Sequence, residues 1–177
     1  MRKLLNEELE RLTIEEFKST KKLPLVVILD NVRSMNNIGS IFRTSDAFLV
    51  DAVYLCGISA TPPNKDIHKT ALGATESVDW YYFKHTLEAI DELKENGYVI
   101  AAIEQTEGSI SLDNFSPRTD TKYAIILGHE VRGIEQKAVD RCDLVIEISQ
   151  FGTKHSLNIS VCAGIVIWEF FKKMYIK

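Results

Sequence analysis

Six short apolar runs, "LVVILD", "AVYLC", "WYYF", "YVIAAI", "YAIILG" and "LVIEI", follow one another from Leu25 onward, and the stretches between them carry helical spacing. Runs this continuously apolar suit strands buried on both faces, and strands that alternate with helices assemble into a parallel sheet. The expected fold is therefore α/β, a mostly parallel sheet with helices on both faces. The spacing predicts helices over Asn37–Leu49, Thr86–Asn96, Ile134–Arg141 and Ser156–Lys173. Gly57–Lys65, with Pro62 and Pro63, and Glu104–Lys122 read as long loops, and loops of that length in a compact domain are often functional. Ahead of the first run, Leu5, Leu9 and Leu12 repeat at helical spacing, and Thr13 with Glu16 has the form of a capping box. Residues 1–22 are accordingly expected to be a helical extension and residues 23–177 one domain.

The chain has 177 residues, of which 45% are hydrophobic, enough for one domain with a sizeable core. No apolar stretch approaches the roughly 20 residues of a membrane span, and acids and bases are scattered among the first leucines, so a cytoplasmic protein without a membrane partner is expected. With 21 basic and 25 acidic residues the formal charge is −4, which argues against coating nucleic acid through bulk electrostatics. Any such contact must be local. Cys56, Cys142 and Cys162 are far apart in apolar surroundings and read as small buried hydrophobes rather than as a disulfide or metal set.

In an open α/β sheet, ligands bind beyond the carboxyl ends of the strands, and three of the loops there are unusual. In "MNNIGSIFRTSDAF", Asn37 can cap a helix, Gly39 permits close approach of a neighbouring backbone, and Arg43 lies within two turns of the helix start. The same spacing serves a capped helix with a solvated arginine. In "ILGHEVRGIEQ", Gly128 directly follows a strand, and Glu130 stands where it either serves a ligand or faces a helix dipole. In "FGTKHSLNIS", Ser156 can cap the last helix, which leaves Asn158 and Ser160 in need of other partners or a ligand. His129, Glu130 and His155 lack the spacing of a metal site, and neither a G-x-G-x-x-G turn nor a P-loop occurs.

"NNIGSIFRTSDAF", "ILGHEVRGI" and "ISQFGTKHSLNISVCAGIVIWE" resemble, in order and separation, the three motifs of the SpoU (TrmH-like) branch of the SPOUT RNA methyltransferases. The resemblance runs from about Leu25 to Phe170. It implies transfer of a methyl group from S-adenosyl-L-methionine to a ribose 2′-hydroxyl of tRNA or rRNA, with DNA offering no acceptor, by a homodimer whose sheet carries a trefoil knot. It implies that Asn37, Arg43, Glu130, Ser156 and Asn158 shape the reaction site. It implies also that Glu104, Leu127, Gly128, Ile148, Leu157, Asn158 and Ser160 surround the cofactor, with no metal. His129 stands where relatives often carry asparagine, glutamine or proline, and a separate RNA-binding domain found in several relatives has no counterpart. Two rivals remain: a catalytically silent RNA-binding protein with the same fold, against which the intact motif residues weigh, and a metal hydrolase using His129, Glu130 and His155.

Overall fold

A computed structural model describes residues 1–176; the last residue of the domain expected over 23–177 lies outside them. The strands are β1 (Leu23–Asp30), β2 (Val50–Cys56), β3 (Asp79–Phe83), β4 (Tyr98–Ile103), β5 (Ile110–Ser111), β6 (Lys122–Leu127) and β7 (Leu144–Glu147). The helices are α1 (Ile14–Ser19), α2 (Met35–Ala47), α3 (Lys65–Ala71), α4 (Ala74–Ser77), α5 (Thr86–Glu95), α6 (Gln136–Val139) and α7 (Ile159–Met174). The seven strands form one sheet in the order β3-β2-β1-β6-β4-β7-β5, and every pairing is parallel. All six apolar runs are strands.

Alternation along β1 divides the core. Leu25, Val27 and Leu29 pack with Ile38, Ile41 and Phe42 of α2 and with Ala163, Val166, Ile167 and Phe170 of α7. Val26 and Ile28 point the other way, toward Ala89, Ile90 and Leu93 of α5 and Ala138 of α6. Both faces of the sheet are thus covered, as continuous apolar strands require.

Several boundaries differ from the sequence reading. Helix α2 is capped by Ser34, whose hydroxyl accepts from Asn37 N at 3.3 Å, so Asn37 lies in the first turn instead of at the cap. Helix α7 begins at Ile159 with Asn158 as its cap, accepting from Ser160 N at 2.9 Å and Val161 N at 3.4 Å; Ser156 remains in the loop. Helices α3 and α4 were not anticipated, because each buries only two residues and shows too little periodicity. Residues Leu5–Leu12 form no amphipathic helix: a single 3-10 turn spans Asn6–Glu8, and Leu5 and Leu12 stay exposed. Helix α1 does open on the Thr13–Glu16 capping box and buries Phe17. Cys56 is buried, while Cys142 and Cys162 are only half-buried. Burial pushes the three thiols up to about 12, 11 and 11, far from a reactive thiolate.

Asp30, at the carboxyl end of β1, is 1% exposed and is shared by three elements. It accepts from the Thr86 hydroxyl at the start of α5, from Asn31 Nδ2 at 2.9 Å and from Glu135 N at 3.0 Å beside α6. Asp30→Ala leaves one buried and two partly buried donors without their acceptor. The expected loss is about 3 kcal/mol, or roughly 6–12 °C in melting temperature for a chain of this size, read by thermal unfolding.

Candidate functional site

A cleft of about 660 Å³ opens at the carboxyl ends of β4, β6 and β7 and reaches the first turn of α7. Of the residues proposed from sequence, Glu104, Leu127, Gly128, Glu130, Ile148, Ser156, Leu157 and Asn158 line it. Asn37, Arg43 and Ser160 do not. Ser160 is turned to the cap, its hydroxyl donating to Asn158 Oδ1 at 2.7 Å. Arg43 is exposed on α2 and forms no ion pair with any described carboxylate.

Four side-chain clips hold the walls of the cleft in place. Glu104, just past β4, accepts from Gln105 N at 3.0 Å and, across the cleft, from Ile134 N at 3.2 Å, which ties the β4 loop to the β6 loop. Gln105 Nε2 donates to His155 O at 3.1 Å and so ties the β4 loop to the segment before α7. Glu130 accepts from Arg33 N at 3.1 Å, Ser34 N at 2.9 Å and Asn37 Nδ2 at 3.3 Å, closing the β6 loop onto the start of α2. Asn158 Nδ2 donates to Asn37 Oδ1 at 3.2 Å and joins α7 to α2. Asn37 therefore belongs to the site through Glu130 and Asn158, without reaching the cleft itself. Sequence reasoning missed Gln105, which carries no motif signal.

Between Gly128 and Ile134 the chain makes a tight bridge: His129 N donates to Gly133 O at 3.1 Å and Gly133 N to His129 O at 2.8 Å. Gly133 has φ +68°, which favours glycine, and a Cβ there would displace the Glu104 carboxylate from its place against the bridge. His129 Nδ1 accepts from Val131 N at 3.0 Å and Arg132 N at 3.3 Å, which fixes its unprotonated nitrogen toward its own turn. Among the described residues no group of three or more His, Cys, Asp or Glu side chains is placed to hold a metal ion. No helix among them is long and apolar enough to cross a membrane.

Burial pushes the Glu130 carboxyl up, but the N–H groups of Arg33, Ser34 and its own residue, with the Asn37 amide, outweigh this and hold it below the usual carboxylate range. A depressed carboxylate adds stability above its unfolded value and loses it as pH falls through the folded one. Glu130→Gln is therefore expected to cost about 1 kcal/mol or less at neutral pH, since exposure screens the charge, and less at an acid pH below the folded carboxylate's range. Urea unfolding at the two pH values checks this.

The model of the SpoU rRNA methylase family matches residues 24–168, which include every wall of this cleft. A TrmH family tRNA/rRNA methyltransferase of Staphylococcus aureus is 33% identical over 92% of the chain; the chain spans 64% of that relative's length. The fold matches the Aquifex aeolicus TrmH/SpoU tRNA modifying enzyme with TM-score 0.80 and 24% identity, over 90% of this chain and 80% of that one. It also matches the SpoU methyltransferase AviRb from Streptomyces viridochromogenes, solved in complex with AdoMet, with TM-score 0.77 and 20% identity over 88% of this chain and 62% of that one.

Proposed function

We propose, from the premise that the chain belongs to the SpoU rRNA methylase family, that it transfers a methyl group from S-adenosyl-L-methionine to a ribose 2′-hydroxyl of tRNA or rRNA. The observation that carries this reading is the clipped cleft, most of whose walls come from the second and third recognised motifs, with the β4 loop completing them. Its volume falls in the range of about 300–1,000 Å³ usual for small-ligand sites. Leu127, Ile148 and Leu157 give apolar walls for a neutral heterocycle, while the bridge from Gly128 brings bare main chain to the same space. The residues present suit the cofactor that AviRb binds.

When bound, the cofactor would supply a methyl group on a cationic sulfur, for displacement onto the ribose oxygen with loss of the hydroxyl proton. The protein's own task is mainly placement, because holding two reactants in line removes much of the barrier. Asn158 and Ser160 are engaged in the helix cap, whereas Ser156 lines the cleft and makes no side-chain hydrogen bond to another described residue. The Ser156 hydroxyl, like that of Thr106 in the same cleft, is free for a ligand. Arg43, outside the cleft, acts on the ribose phosphate and the charge developing on the acceptor oxygen. A guanidinium is a planar set of N–H donors with no acceptor, which makes it a poor proton acceptor.

Helix α7 exposes Val161, Ile165 and Trp168 (51%, 39% and 44%) along one stripe. A second copy covers this stripe, so the working form is a homodimer, and the trefoil knot comes with the same family reading. Ile165→Glu with Trp168→Glu should yield monomers by sedimentation; an unaltered protein that is a stable monomer at micromolar concentration overturns the dimer. Calorimetry with S-adenosylmethionine, followed by mapping of 2′-O-methyl groups in RNA from cells with and without the gene, tests the activity. Failure to bind the cofactor leaves the silent RNA-binding alternative.

A further inference from the structure

The most exposed large apolar side chains outside the first residue stand beside the cleft. Phe151 is 97% exposed and Val131 82%. Val131 lines the cleft and Phe151 follows Gln150, which also lines it, but Phe151 itself is not among the lining residues. A cofactor held wholly within the cleft therefore leaves the Phe151 ring bare. A phenyl ring this exposed at the mouth of a ligand cleft is available for contact with whatever enters it.

Charge narrows what that is. Arg132 lines the cleft, and Lys154 lies three residues beyond Phe151 in the same exposed loop. Arg33 joins the rim through its N–H to Glu130. None of these three cations pairs with a carboxylate among the described residues. Of the three carboxylates that line the cleft, Glu104 and Glu130 are occupied by main-chain N–H groups and Glu147, at the end of β7, is the third. A bare aromatic ring flanked by unpaired cations suits a nucleobase with its phosphates; a duplex keeps its bases stacked inside, so the ring can meet only an unpaired one.

We propose that Phe151 is a stacking platform for an unpaired nucleotide of the substrate, with Arg132 and Lys154 taking the adjoining phosphates. This rests on the reading that the chain acts on RNA, and it adds that the RNA is engaged where it is single-stranded.

The test uses the full chain with a labelled mixed-sequence single-stranded oligoribonucleotide and an RNA duplex of equal length, with cofactor affinity and sedimentation measured alongside. Phe151→Ala should weaken binding of the single strand by roughly tenfold or more, and leave the duplex, the cofactor and the oligomeric state as in the unaltered protein. Phe151→Trp should restore single-strand binding, with indole fluorescence quenched by the oligonucleotide and not by S-adenosylmethionine. Equal binding of the single strand by Phe151→Ala overturns the proposal. So does equal loss on both RNAs, loss of cofactor binding, or dissociation of the dimer, which would assign the ring to the cofactor or to a second copy. If the unaltered protein binds the single strand but not S-adenosylmethionine, the methyltransferase reading falls while the stacking result stands on its own.

Discussion

Gly128→Val should bind S-adenosylmethionine roughly one hundredfold more weakly than the unaltered protein, and should unfold several degrees earlier. A Cβ at position 128 would come within 2.3 Å of Gly133 C and of Ile134 N, and 2.5 Å from Gly133 O. All three are backbone atoms, so no side chain can rotate away. The bridge between His129 and Gly133 must open, and its opening pulls Ile134 N from Glu104 Oε2, releasing the β4 loop. Two walls of the cleft move together. The overpacking costs about 1–3 kcal/mol, or about 2–12 °C for this chain length, so the local fold is not left intact even where the sheet survives. Gly152→Ala, where an added Cβ meets nothing within 4 Å, is the control. Calorimetry and thermal unfolding read the two effects, and unchanged cofactor affinity in Gly128→Val would place the cofactor elsewhere.

Arg43→Ala should leave stability within about 0.5 kcal/mol and cofactor affinity unchanged, while methyl transfer falls by about one hundredfold or more. Arg43 sits on the exposed face of α2, while its neighbours Ile41 and Phe42 are fully buried, so the fold depends on them and not on it. Arg43→Lys should keep RNA binding roughly intact and still lose most of the activity, because an ammonium cannot reproduce the planar bidentate fork. Single-turnover transfer with saturating RNA decides the matter. If Arg43→Ala reacts as fast as the unaltered protein, the arginine is only a solvated helix residue.

The sheet was legible because each strand buries both faces and so leaves an uninterrupted apolar signature. The cleft was legible at Leu127, Gly128 and Ile148, at or just beyond strand ends, and at Leu157, just before α7, all named through the motif resemblance. Helix caps were read less well. In "SLNIS" three polar side chains compete for one cap, and spacing cannot show that Asn158 satisfies both free N–H groups while also reaching Asn37. Ser34 won over Asn37 in the same way, because Asn37 is drawn to Glu130 and Asn158 by contacts 93 and 121 residues away in sequence. Short β5 and short α3 and α4 left no periodic trace, being held by neighbours more than by their own pattern.

The place of β6 in the sheet governs when the molecule can be completed. Tyr123 to Leu127 insert between β1 and β4, so Leu25 must wait for Tyr123 and Ala101 for Ile125. Until that segment arrives, the early strands cannot close into one sheet, and two apolar edges stand open to one another and to other chains. Pairings this distant in sequence are closed slowly, because the entropy of the intervening loop is lost before the contact forms. The ligand site, whose walls come from β4, β6, β7 and α7, belongs to the last stage of assembly. A ligand that fits it therefore recognises only finished molecules, and its binding draws the slow final step forward by mass action.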